Sequence, residues 1–340
     1  MLASPPAPLR VLVLDGHHPL ALPAVRSLGR RHGLVTLATP EHAVAAASSR
    51  YCHDSVTSPS LNGEAGGRWL QEITSRRRFD VLLYFESSTA ELVSARAGRL
   101  PVGCPLPRRE SFITMTQPQE AQRLAQTLGV ETAAESEPLQ GPCRDYALVA
   151  LMRRGDPVAT FVHRLGGLRQ GSTPWFARPA LESVERDDVR QTGLALLAGA
   201  AWHGVATLGF RHERRNDRLV WLGLHPGWSD GLDLAIACGI DLPWLYAQLA
   251  SDRPITGPTR YRVGLKYRRL CTPLGGTNPL RAGLRALAAL RPDVRTDLLW
   301  RDPLPHLPML DRATAWRRSR RPAPRAAPVL SVVGGRRGPD

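Results

Sequence analysis

Lysine is all but missing from this chain: Lys266 stands alone against 44 arginines in 340 residues. Any site that needs an ammonium, as a Schiff-base nucleophile or as a compact grip on phosphate, has one residue to draw on. Cysteine is scarce and scattered. The five (Cys52, Cys104, Cys143, Cys238 and Cys271) are odd in number and contain no C-x-x-C pair. This argues against a zinc ribbon and a disulfide framework, and points to a reducing cytoplasm. No apolar run reaches the ~18–20 residues that cross a bilayer. The best candidate, residues 194–210, is broken by Gly199, His203, Gly204 and Gly209 and reads as a helix turning into a strand. Residues 1–9 lack a basic start followed by an apolar core, so no secretory signal is expected there.

Arginine supplies most of what is there. The net charge is +15 and the pI about 10.9. A basic surface attracts polyanions. Here, however, the arginines are spread along the chain rather than gathered beside aromatic residues, so compositional bias accounts for them better than a nucleic-acid surface. The exception is residues 311–340, where Arg317, Arg318, Arg320, Arg321 and Arg325 mix with Pro322, Pro324 and Pro328. Such a segment cannot bury enough apolar surface to offset chain entropy, and is expected to be a disordered basic tail. The remainder, 43% hydrophobic overall, suits two or three domains.

Strand and helix alternate over residues 8–110. RVLVLD at 10–15, residues 34–38 and VLLYF at 81–85 read as buried parallel strands, and residues 20–31 and 68–75 as helices between them. This predicts a doubly wound α/β domain over 8–112. A helix is expected at 120–128, ending at Gly129. Runs at 146–152 and 158–163 flank Arg153-Arg154-Gly155-Asp156, a hairpin signature. A long helix at 184–202, a strand pair at 205–210 and 219–224, and helices from 232, 243 and 281 complete the reading. The expected division is 8–112, then a truncated α+β domain at 113–270, a helical segment at 271–310 and the tail.

Three segments carry a family likeness. They are VLVLDGHHPLALPAVRSLGRR with Ser49-Arg50-Tyr51, then residues 156–250 with WLGLHPGWSDGLDLAIACGIDLP, then WRDPLPHL at 300–307. In order and spacing they resemble the ATP-grasp superfamily, in particular its carbamoyl-phosphate-synthase-like carboxylate–amine ligases. The resemblance implies ATP and magnesium as cofactors in an active member. It also implies a glutamate on the strand after Trp202-His203-Gly204-Val205, and a glutamate, an asparagine and an arginine on the next strand. Here Gly209, Gly223, His225 and Gly227 stand at those positions. The phosphate lysine expected near the helix start is replaced by Thr116-Gln117. The stretch from Gly129-Val130 to Tyr146 is too short for the glycine-rich subdomain that covers the nucleotide in relatives. Without hard oxygen ligands magnesium has no cage, so no cofactor is expected.

Other positions keep two readings each. Asp15-Gly16 and Glu86, at strand ends, either contact an acceptor substrate or satisfy a turn. Arg164 and Arg169 either match basic positions of the relatives or are solvated charges. A metal at His225 would need His203, His212 or Asp230 beside it. Trp221 and Trp228 read as core or interface aromatics. Three functions follow, in this order. The first is a catalytically degenerate homologue acting as a structural or regulatory partner of an active ligase or pathway protein. The second is an active ATP-dependent carboxylate–amine ligase with a rewired site. The third is a polyanion-binding protein working through the basic tail.

Overall fold

The computed structural model describes residues 7–40, 44–133, 142–166, 180–255, 257–258, 260–268, 292–297, 299 and 301–306. Arg169, the helix expected at 281–290 and the tail lie outside them.

The first domain is a parallel sheet in the order β3-β2-β1-β4. Its strands are β1 (Arg10–Val13), β2 (Leu34–Thr39), β3 (Asp54–Thr57) and β4 (Val81–Leu83). Alternation within the apolar runs sets both faces. Val11 and Val13 enter one core, while Leu12 and Leu14 enter another. The crossover helices are α1 (Ala21–Arg30), α2 (Glu64–Arg76) and α3 (Ser87–Ser94), with α1 on the first face and α2 and α3 on the second. The edge strand β3, sequence DSVT, is polar and largely exposed, which is why no hydrophobic signal announced it.

Two helices, α4 (Arg109–Thr116) and α5 (Pro118–Thr127), lead to a second sheet. Its strands in chain order are β5 (Cys143–Arg153), β6 (Asp156–Gly166), β7 (Ala180–Ser183), β8 (Gly204–Glu213), β9 (Arg218–His225), β10 (Lys266–Arg268) and β11 (Val294–Thr296). Spatially they run β11-β10-β7-β6-β5-β8-β9, antiparallel except for the β10–β11 pair. The expected hairpin is β5–β6. Its two-residue loop, Arg154-Gly155, has φ of 52° and 97°, the backbone of a primed turn that follows strand twist. The helix expected over 184–202 is shorter: α6 is Asp187–Gly199. Residues 184–186 link β7 to it, with Arg186 extended at the helix start, and the chain after it turns through left-handed Ala201 and Gly204.

Helices α4, α5 and α6 cover one face of this sheet. Its other face meets α7 (Leu232–Cys238) and α8 (Leu242–Ala250). Those helices also pack on α1, so Val25 and Leu28 share one core with Val149, Phe161, Leu245 and Tyr246. Between α5 and β5 the chain hugs the sheet edge. Trp221 N donates to Glu131 O (2.8 Å) and Ala133 N to Trp221 O (3.1 Å). Only residues 134–141 of this link fall outside the description.

A buried ion pair ties residues distant in sequence together. Arg26, on α1, is 4% exposed, and Asp302 is 1% exposed. Arg26 Nε donates to Asp302 Oδ2 (2.8 Å) and its other nitrogens to the carbonyls of Asp297 (2.7 Å) and Asp302 (2.9 Å). Ser49 Oγ (2.7 Å) and Arg50 N (3.0 Å) donate to the same carboxylate. The first and third segments of the family likeness therefore meet at one side chain. Every Asp302 lone pair in use has a donor, as a buried charge requires.

Candidate functional site

In a parallel sheet ordered β3-β2-β1-β4 the chain reverses direction between β1 and β4. The loops leaving two such strands part to opposite faces, opening a crevice at their carboxyl ends. Asp15 sets the shape of this crevice. It is 2% exposed, in a left-handed conformation (φ 55°). Its Oδ2 accepts from Phe85 N (2.8 Å) and Glu86 N (2.9 Å), and its Oδ1 from Thr89 Oγ1 (2.7 Å). The side chain thus staples β1 to the start of α3. Burial raises its pKa above the usual value, against the lowering effect of these three donors. Gly16 sits against Leu37, where an added Cβ would come within 2.8 Å. The two residues are used by the turn.

Beyond the turn a cleft of about 380 Å³ opens. From the first domain His18, Phe85, Glu86, Ser87 and Ser88 line it; His225 comes from the end of β9, and Trp228, Ser229 and Asp230 from the loop after it. His18 stacks on Phe85 with ring centroids 5.5 Å apart. Phe85 in turn meets Trp228 at 6.3 Å, and Trp228 meets Tyr246 at 5.4 Å. Glu86 at the rim bonds His17 (Oε1 to Nε2, 2.7 Å). Burial pushes the His225 pKa down to about 4, against the raising effect of a bond to the Trp228 backbone, so its imidazole is neutral near pH 7.

The positions singled out by family likeness lie on one hairpin beside this cleft. Gly209 on β8 is paired directly with Gly223 on β9, and Thr207 with His225. Gly223 has φ 129°, Gly227 has φ 149°, and a Cβ on Gly223 would meet nothing within 4 Å. Two glycines therefore face each other across β8 and β9. The Gly227 carbonyl accepts from Thr207 Oγ1 (2.9 Å). His203 and His212 are elsewhere: His203 Nδ1 lies 3.2 Å from Met152 O, and His212 Nε2 lies 2.6 Å from Asp217 Oδ1. Among the described residues no three His, Cys, Asp or Glu side chains converge as a metal site. Arg164 is ion-paired with Glu182 across β6 and β7. Trp221 lies in the core under α4–α6 and Trp228 in the core shared by both sheets. Lys266, on β10, donates to Asp293 (3.0 Å), on the side of the sheet away from β8 and β9.

Sequence reasoning did not find His17, His18, Ser87, Ser88 or Ser229. The signal was present for the first four, because all follow directly on the carboxyl ends of buried strands. Ser229 and Asp230 reach the cleft only through the packing of one sheet on the other domain.

No protein-family model matches the chain, and no curated protein matches it. Solved structures do. A complete multifunctional pyruvate carboxylase from Rhizobium etli aligns over 76% of this chain and 26% of its own, with TM-score 0.60 and 10% identity. A biotin carboxylase–β,γ-ATP complex from Campylobacter jejuni aligns over 75% of this chain and 74% of its own, with TM-score 0.58 and 11% identity. For the Kluyveromyces lactis urea carboxylase the shares are 76% and 23%, with TM-score 0.57 and 12% identity. The chain spans about a quarter of the multidomain carboxylases and three quarters of the smaller protein. At these identities the likeness is one of fold.

Proposed function

We propose that this chain, which carries the ATP-grasp fold of the biotin carboxylase domains, is a ligase homologue that has given up nucleotide chemistry and serves as a structural or regulatory partner in a ligase pathway. The observation that carries this reading is the Gly209–Gly223 pair. Magnesium takes hard oxygen ligands in near-octahedral geometry and is held in such enzymes by carboxylates and phosphates. Two glycines and a neutral imidazole offer it no side-chain oxygen. Nor do the residues fit the nucleotide's phosphates: Thr116-Gln117 precede α5, and the only lysine is bonded to Asp293. Among the described residues the donors at these positions fit neither group, and no catalytic step is routed through them.

The backbone adds a second argument. Gly223 sits beside a register shift between Gly209 and Phe210, at a φ that L side chains rarely adopt. A glutamate there would be strained by about 1–3 kcal/mol.

Isothermal titration of magnesium–ATP into the full chain tests the proposal. No binding heat and no amine-dependent ADP release are expected; micromolar affinity overturns it. Gly223→Glu should lower stability by about 1–3 kcal/mol without producing ADP release. Turnover by that single variant would mean the remaining nucleotide machinery is intact.

A further inference from the structure

Arginines that are dispersed along the sequence do not stay dispersed in space. The four strands of the first sheet are parallel, so their amino ends lie together. The chain enters β1 at Arg10, β2 just after Arg30-Arg31, β3 after Arg50, and β4 after Arg76-Arg77-Arg78. Four separate segments thus bring seven arginines to one end of the sheet. The segments that leave β1, β3 and β4 at the other end, residues 14–20, 58–63 and 84–88, contain no arginine or lysine. Helix ends explain part of this polarity, since Arg30 and Arg76 stand in the last turns of α1 and α2, where a cation is favoured. They do not explain Arg10 or Arg50.

We propose that this basic end of the first domain binds the phosphate backbone of double-stranded nucleic acid. Arg10, Arg76, Arg77 and Arg78 line a depression of about 390 Å³ together with His53. Two residues from His53, the Tyr51 ring carries the guanidinium groups of Arg30 and Arg50, at 5.5 and 5.6 Å from its centroid. Arg31 lies 5.9 Å from the Trp244 ring. The backbone beneath is fixed by close packing: a Cβ on Gly29 would come within 2.6 Å of the Tyr51 carbonyl, and His53 N donates to Val35 O (2.9 Å). Arg10, Arg30 and Arg50 form no ion pair among the described residues. Arg76 and Arg77 pair with Glu72 and Asp54 (2.7 Å each), and Arg78 lies 3.9 Å from Asp80, but all three are more than half exposed. Exposed pairs of this kind contribute little, so a phosphate can compete for these guanidinium groups.

Width selects the partner. Four strands at ~4.8 Å spacing make this end about 15 Å across. A single phosphate reaches only one or two of the arginines, whereas a duplex presents about nine charges over that length, one per ~1.7 Å. The aromatic groups favour a duplex over a single strand. Tyr51 and Trp244 are half-buried with a guanidinium over each ring, and Phe79 is buried, so these rings do not offer the open faces on which unstacked bases pile. Recognition here is of the backbone and carries no base sequence. Stable attachment to a lipid surface adds apolar anchors to basic charge. The large apolar side chains exposed among the described residues, Leu128, Val263 and Leu304, lie outside the four segments. The basic end is opposite the crevice at the carboxyl ends, so the proposal does not rest on the loss of nucleotide chemistry.

The test is fluorescence anisotropy of the full chain with labelled 20-base-pair DNA and RNA duplexes of arbitrary sequence, over a range of salt concentrations. Affinity should fall about a hundredfold or more between 50 and 200 mM salt, linearly on logarithmic axes. Binding of either duplex supports the proposal, and the tighter of the two identifies the source of the phosphates. Two double variants, Arg76→Gln with Arg78→Gln and Arg30→Gln with Arg50→Gln, should each reduce the salt slope by about two. Each is read only with Tm at the wild-type value, and Arg10→Gln, which should reduce the slope by about one, stands in for a pair that fails to fold. Arg214→Gln with Arg215→Gln removes the same charge from the exposed turn between β8 and β9 and should leave the slope unchanged. The proposal is overturned if wild type binds neither duplex at micromolar concentration in 50 mM salt, or if it binds anionic phospholipid vesicles and not the duplexes. It is equally overturned if the variants at the basic end behave as the control pair does, since the charge responsible then lies elsewhere, as in residues 311–340. Magnesium–ATP titrations bear on the preceding proposal alone, so the two can fail separately.

Discussion

Asp302→Ala will destabilise the protein by about 3–5 kcal/mol, the cost of leaving a buried guanidinium without its counter-charge. Arg26 would remain on α1, 4% exposed, its Nε donor unanswered and its contact to the displaced 302 backbone weakened. Ser49 and the Arg50 amide would lose their acceptor as well. Urea unfolding of the two proteins measures the difference. Replacing both partners with leucine should cost less than the single change, because an apolar pair leaves no orphaned charge. A single variant within ~1 kcal/mol of wild type would show that water reaches the pair and that it does not tie α1 to residues 297–302.

The pair also sets a pH dependence. Burial raises the Asp302 pKa, but the donors Arg26, Arg50 N and Ser49 outweigh it, and the net shift is downward from 3.8. A carboxyl with a depressed folded pKa contributes stability that is present above the unfolded value and lost as pH falls through the folded one. The gap between wild type and Asp302→Ala should therefore be full at neutral pH and begin to close below about pH 4.

The second large effect is expected at Asp15. Asp15→Ala removes the acceptor for Phe85 N, Glu86 N and Thr89 Oγ1 at a buried position. An unsatisfied buried donor costs about 1–3 kcal/mol, and alanine at φ 55° adds about 1–2 kcal/mol. A total of about 2–5 kcal/mol follows. Asp15→Asn should be milder, at about 1 kcal/mol, because asparagine keeps one acceptor oxygen and tolerates the left-handed backbone. Denaturant melts rank the three proteins. If alanine proves as mild as asparagine, the staple between β1 and α3 is not what shapes this end of the sheet.

Much of the architecture was legible because it rests on local rules. Val11–Val13 and Val81–Leu83 are apolar on both faces, as only doubly covered strands are. Arg154-Gly155 announced its hairpin by turn chemistry. Strand β7 and α3 were not legible. β7 is a four-residue strand, and the start of α3 is stapled by Asp15, whose sequence separation from Thr89 is 74 residues.

What the amino-acid order determined by itself is composition at a position: glycine at 209 and 223, histidine at 225, one lysine outside the expected place. Those identities remove oxygen and ammonium groups whatever the fold, since a side chain that is absent cannot be supplied by packing. What only the tertiary structure decided is which residues meet. Gly209 faces Gly223 through strand register, Asp302 reaches Arg26 across 276 residues, and Glu86 comes to share a cleft with Asp230 because the second sheet packs against the first domain through α1, α7 and α8. Such meetings follow from the burial of a common apolar core, a property of the whole chain that no local window contains.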